Sequence, residues 1–167
     1  LLAVFVMVEE KRGAASGVKL NRVLLEGLVF ALIVLAGLGW AASRMLRAAD
    51  PSAAAMGPID KVVIACGTGF HEELVFRALL VTGFSFVLTK LFRLSAKAGL
   101  IVAVTVSSLA FSLVHNYGPL GEPFVADVFV YRTALGALFA GLYLLRGFAV
   151  AVYAHVFFEL LVYFLYA

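Results

Sequence analysis

A histidine, two adjacent carboxylates and an arginine stand together in Gly69-Phe70-His71-Glu72-Glu73-Leu74-Val75-Phe76-Arg77-Ala78, inside a run otherwise apolar enough to lie in a membrane. A charged side chain near the centre of a bilayer costs from about 2.5 kcal/mol to several times that, so groups kept there point to function and to partners. Two partners follow along the chain: His115 closes one later apolar run, and His155 with Glu159 lies inside the last one. Carboxylates and imidazoles gathered in a desolvated site are the groups that take a proton from water, support an oxyanion or ligate zinc.

The spacings sort these groups by role. On a helix Glu73 and Arg77 are four apart and share a face in the favourable acid-before-base order, so Arg77 is expected to neutralise Glu73. Glu72 is rotated from Glu73 by about 100° and is free to look into a cavity. His115 lies four after Phe111, at a helix end. His155 and Glu159 form another four-apart pair, which could chelate a metal or let Glu159 orient the imidazole by accepting its N–H. Each group alone has a plainer reading, as a structural ion pair or a water-satisfied interfacial histidine. Three separate segments each carrying a costly polar group are best explained if the groups meet.

The elements that must position them are membrane helices. The 167 residues are 64% hydrophobic and 14% charged, against about 45–50% apolar and about 25% charged in soluble domains. The expected fold class is an all-α, polytopic transmembrane bundle of about five to six membrane-embedded helices, a single integral membrane domain over residues 1–167. Leu1 to Val8 reads as the end of a truncated helix and Glu9 to Arg22 as a basic linker. Spans follow at about Val23 to Ala42, with Trp40 at interfacial depth and Arg44 and Arg47 beyond it, and from Ile59 or Lys61 to about Leu91, adjusted near Gly67-Thr68-Gly69. Three more are expected at Ala98 to Val114, Val128 to Leu145 and Phe148 to Tyr166, with a small loop from Ala48 to Asp60 and a breaker at Gly118-Pro119. Gly136, Gly141, Ala134, Ala137 and Ala140 make the fourth of these a close-packing helix. Cys66, the single cysteine, is expected to be a small packing residue.

Basic residues lie between the apolar runs, which makes them topology signals and not a nucleic-acid surface. Eight fall in the segments 9–22, 90–97 and at Arg146, against three at Arg44, Arg47 and Lys61. The first set is expected on the cytoplasmic side, which leaves His115 toward the opposite face and the site opening outward.

The ordered set Glu72-Glu73-x-x-x-Arg77, Phe111-x-x-x-His115 and His155-x-x-x-Glu159 resembles the CPBP family of intramembrane proteases, also called the Abi or type II CAAX prenyl endopeptidase family. The likeness covers a protease-like core of roughly residues 61–166, including the small-residue helix and Gly141-Leu142-Tyr143 to Arg146-Gly147. It implies an endopeptidase acting within the membrane on a membrane-anchored or C-terminally tagged protein. By position, Glu72 and His115 would activate water, His155 would stand on the oxyanion side with Glu159 in the fourth place, and Glu73, Arg77 and Phe111 would support them. Position 159 departs from the family's asparagine or aspartate. An ionised Glu159 would repel an oxyanion, so it is either protonated, an orienter of His155, or a metal ligand.

The resemblance requires no cofactor. Zinc held by some of Glu72, His115, His155 and Glu159 is the alternative within enzymes, although no H-E-x-x-H helix is present. A transporter or immunity factor using the same groups as a proton relay or latch is the alternative outside them. Short loops and outward opening suit a multi-pass protein of the bacterial inner membrane.

Overall fold

The computed structural model describes residues 20–48, 56–118 and 121–166, with side chains for 20–37, 56–118 and 121–165. The expected truncated helix at Leu1 to Val8, most of the linker before Arg22, the middle of the Ala48 to Asp60 loop and Pro119 lie outside the described residues. So do the side chains of Trp40, Arg44 and Arg47.

Every regular element among the described residues is helical: α1 (Leu20–Ala48), α2 (Pro58–Glu73), a π-helical stretch (Leu74–Phe84), α3 (Ser85–Lys90), α4 (Ala96–Val114), α5 (Ala126–Arg146) and α6 (Phe148–Tyr166). Helices α1 (over Leu20–Gly37), α4, α5 and α6 are long and apolar enough to cross a bilayer. With α2, the π stretch and α3 running on as one rod over residues 58–90, the described residues form a bundle of five helical rods. The protein is an integral membrane helix bundle.

Local chemistry sets the ends. Pro58 opens α2 where a missing N–H costs nothing, and Asp60 accepts the Gly57 N–H at 3.2 Å. Ser95 caps α4 by accepting the Ala98 N–H at 3.2 Å. Gly147, at φ 92°, turns the chain between α5 and α6 in a conformation that favours glycine. Helix α1 starts earlier and ends later than the expected Val23 to Ala42. Within the added turn, Arg22 pairs with Glu26 one turn on, at 3.0 Å.

Three expectations about this scaffold are corrected. The irregularity in the second span is not at Gly67-Thr68-Gly69, which stays α-helical, but in Leu74–Phe84. Gly69 instead lets α6 close in: a Cβ there would stand 2.7 Å from Val156 Cγ2. Of the small residues on α5, Gly136 meets the backbone of Ser108 on α4 and Ala140 is buried, whereas Gly141 has open space and Ala134 and Ala137 are exposed. The close-packing stripe is therefore narrower than the composition suggests. Cys66 is exposed and packs against no core, because it falls on the outward face of α2.

Helix α6 packs against α1, α2 and α5, while α4 packs against the π stretch, α3 and α5. The interior face shared by α2, the π stretch, α4, α5 and α6 is where the polar groups collect.

Candidate active site

The π stretch begins immediately after the paired glutamates and carries Arg77. Its i→i+5 pattern is rare and occurs frequently at functional sites. Ser107, from α4, donates to the Phe76 carbonyl at 2.6 Å, a polar contact of the kind that irregular backbone needs in a membrane.

Glu73 and Arg77 are both fully buried, and Arg77 Nε lies 3.1 Å from Glu73 Oε2. The guanidinium sits among three rings, with its carbon 4.8 Å from the Phe111 centroid, 5.7 Å from Phe139 and 6.0 Å from Phe76. It also donates to the Gly136 carbonyl at 3.4 Å. The expected pairing of Glu73 with Arg77 is present, and Glu73 does more: its Oε1 is 2.8 Å from His155 Nδ1. Orienting that imidazole is one of the three roles open to Glu159, and at Nδ1 the role is filled by Glu73. Glu159 is one turn beyond His155 on α6 and cannot reach Nδ1, whereas Glu73 faces it from α2.

With Nδ1 held by Glu73, His155 turns Nε2 toward the cavity, 3.6 Å from Glu72 Oε2 and 3.8 Å from Glu159 Oε1. Phe139 lies almost parallel to the ring, 13° off, at 4.7 Å, which fixes its plane. His115 is held similarly. Its Nδ1 is 2.8 Å from the Phe111 carbonyl, which can only accept, so Nδ1 carries the proton and Nε2 is left facing Glu72 Oε1 at 3.8 Å. Glu159 accepts a hydrogen bond through Oε2 from the Thr68 hydroxyl.

Glu72, His115, His155 and Glu159 thus line one cavity of about 170 Å³, together with Phe111, Glu122, Arg132, Leu135, Phe139, Phe158, Val162 and Tyr163. His71, beside them in sequence, is exposed on the outer face of α2. Carboxylates and imidazoles within 4 Å of one another around a small cavity can hold a water molecule and move its proton.

Four residues here were not anticipated: Thr68, Glu122, Arg132 and Phe139. Arg132 carried a usable signal, since an arginine inside an apolar span is as costly as the glutamates. Thr68 lies one helical turn before Glu72, close enough in sequence to have been suspected. Nothing in the sequence marks Phe139 among so many phenylalanines.

Searches of curated proteins and of solved structures found no match to this chain. Residues 53–161 match the family model described as type II CAAX prenyl endopeptidase Rce1-like, well over half of the chain, and the protein belongs to that family of CAAX protease-like membrane enzymes.

Proposed function

We propose that this chain is a glutamate-type intramembrane endopeptidase that cleaves a membrane-anchored or C-terminally tagged protein. The observation that carries the reading is the position of Glu72 between two imidazole nitrogens, 3.8 Å from His115 and 3.6 Å from His155. These separations are too long for direct hydrogen bonds and suit two groups that share one water, each about 2.8 Å from it.

Water held by Glu72 and the His115 Nε2 lone pair loses a proton to Glu72 as its oxygen bonds to the substrate carbonyl carbon. The carbonyl π pair moves onto oxygen, where His155, in its protonated form, presents Nε2–H. Collapse breaks the C–N bond, and the proton on Glu72 passes to the departing nitrogen. Glu73 keeps the His155 ring in place throughout. Glu159, tied to Thr68, flanks Nε2 and supports the charge on His155.

Zinc is the second reading, favoured by one observation: single ligand atoms from Glu72, His155 and Glu159 lie within 4.8 Å of one another. These N and O donors suit zinc, and a carboxylate behind the histidine, here Glu73, is the usual outer partner of a metal-bound imidazole. Those three residues would hold the ion, which would supply Lewis-acid polarisation of the carbonyl.

A bacterial inner-membrane setting with the basic loops cytoplasmic fits the charge distribution. Arg22 and Arg146, from segments on the same expected side, both pair with Glu26. The test is cleavage of a lipidated reporter peptide by purified protein, with metal analysis and 1,10-phenanthroline. Metal-free, chelator-resistant cleavage is the expected result. Stoichiometric zinc with loss of activity on chelation transfers the chemistry to the metal, and no cleavage of any membrane-anchored peptide removes the protease reading.

A further inference from the structure

In the hydrolytic steps the tetrahedral oxygen receives one hydrogen bond, from His155. Sites of this kind aim preorganised donors at the place where negative charge develops, and the polar groups beside His155 cannot add a second one. Glu72 takes up the proton of the water, an ionised Glu159 only accepts, and Nε2 of His115 carries a lone pair. Arg132 spends a terminal nitrogen on both oxygens of Glu122, at 2.7 and 2.8 Å. Tyr163 carries the one hydroxyl among the described residues that line the cavity.

A tyrosine near the end of a membrane helix is ordinarily an interfacial anchor with its hydroxyl among the headgroups. Tyr163 is placed differently. His155, Glu159 and Tyr163 follow one another at four-residue intervals along one face of α6. Helix α2 meets them in antiparallel order: Glu73 holds His155 at 2.8 Å, the Thr68 hydroxyl holds Glu159, and Lys61 Nζ donates to the Tyr163 carbonyl at 3.1 Å. Lys61 is only 9% exposed, and its ammonium lies 5.6 Å from the Phe164 ring centroid. This buried contact fixes the backbone from which the phenol projects. Long side chains on a helix lean toward its N-terminus, over the residue one turn back. Tyr163 therefore leans over Glu159 toward His155, and the axial step of about 6 Å from Tyr163 to Glu159 is one that a phenol spans. Its hydroxyl stands in the field of the Glu159 and Glu72 carboxylates.

We infer that Tyr163 is a catalytic residue whose phenol O–H donates to the tetrahedral oxygen beside the Nε2–H of His155. The phenol keeps its proton throughout. Its hydrogen bond strengthens as charge gathers on the oxygen and weakens again as the C–N bond breaks, so it acts on the transition state and not on substrate binding. The inference rests on the hydrolytic reading and adds to it a second donor from α6, in place of a Glu159 that has none to give.

The test measures kcat and KM for a lipidated reporter peptide with the full chain in nanodiscs, together with the thermal unfolding midpoint. Tyr163→Phe keeps the ring and removes the O–H. It is expected to lower kcat by about 10²- to 10³-fold, the effect of deleting one oxyanion donor, with KM and the midpoint near wild type. Glu159→Asn supplies an amide N–H one turn nearer His155. In that background Tyr163→Phe is expected to cost about tenfold or less, because groups that serve one oxygen are not additive. Wild-type kcat in Tyr163→Phe overturns the inference. So does a loss of kcat matched by a lowered midpoint, the mark of a purely structural ring, and so does an equal penalty in both backgrounds, which would show that residues 159 and 163 do not address the same atom. If wild type cleaves no membrane-anchored peptide, the hydrolytic reading itself fails and takes the inference with it, a result distinct from active wild type with an indifferent Tyr163.

Discussion

Glu72 and Glu73 are neighbours in sequence, yet they belong to two halves of the polar centre with opposite character. Around Glu73 the groups are sealed: Glu73, Arg77 and the Nδ1 side of His155 are buried, in contact at 2.8 and 3.1 Å, and boxed by Phe76, Phe111 and Phe139. Around Glu72 they are loose: its side chain and those of His115 and Glu159 keep 18%, 26% and 20% exposure, with gaps of 3.6–3.8 Å. A buried charge without a matched partner is strongly destabilising, so the first half is tight by necessity. A site that must admit water and a peptide cannot be closed in that way. The turn of about 100° between successive helical residues lets two adjacent carboxylates serve these incompatible demands.

The largest expected effect comes from breaking the loose half alone. Glu72→Gln should reduce cleavage by about 10²- to 10⁴-fold, the usual contribution of a general base, while the thermal unfolding midpoint in detergent stays near wild type. Both are measured on one preparation, and wild-type turnover would remove Glu72 from the chemistry. Breaking the sealed half should do the reverse. Glu73→Ala leaves Arg77 buried without its counter-charge, which costs about 3–5 kcal/mol and should lower the unfolding midpoint clearly. Activity falls with it, because His155 loses the group that holds its Nδ1. A midpoint unchanged in Glu73→Ala would show that the two halves are not different in kind.

A smaller effect on the same side is expected from Gly136→Ala. The added methyl would stand 3.0 Å from Ser108 Cα and 3.3 Å from the Phe111 ring. Overpacking of this sort costs about 1–3 kcal/mol. It should appear as a lowered unfolding midpoint with catalysis reduced only in proportion to the folded fraction.

Much of this division was legible from residue order. The last three spans fall within two residues of their expected limits, because long apolar runs bounded by Arg, Gly and Pro leave little choice of helix ends. The pairing of Glu73 with Arg77 follows from helical spacing alone. The Glu73–His155 contact did not, since it joins residues 82 apart and depends on how α2 and α6 rotate against each other. For the same reason spacing alone pairs His155 with Glu159, its neighbour on one helix. The π stretch was also invisible: Leu74–Phe84 is an apolar run like the others, and of the two glycines that suggest an irregularity nearby, Gly69 serves close packing and Gly67 faces open space. Arg132 was legible by the rule applied to Glu72, that a charge within a span needs a reason.

Glu159 is the residue whose side of the comparison is least obvious, and Thr68→Val assigns it. The Thr68 hydroxyl donates to Glu159 Oε2, while Oε1 faces His155 Nε2 across 3.8 Å. Valine keeps the shape and removes the donor, leaving a carboxylate with one hydrogen bond fewer, which is worth about 1–3 kcal/mol for a buried group. If Glu159 were scaffold, that loss would register as stability. Its partial exposure and its place in the cavity wall argue otherwise, because water can replace the lost donor in the resting protein. Once a peptide fills the cavity that replacement is excluded, so the deficit falls on the transition state and kcat drops by about tenfold while the unfolding midpoint barely moves. A destabilised protein with full activity per folded molecule would instead place Glu159 with Glu73, among the groups that hold the helices together.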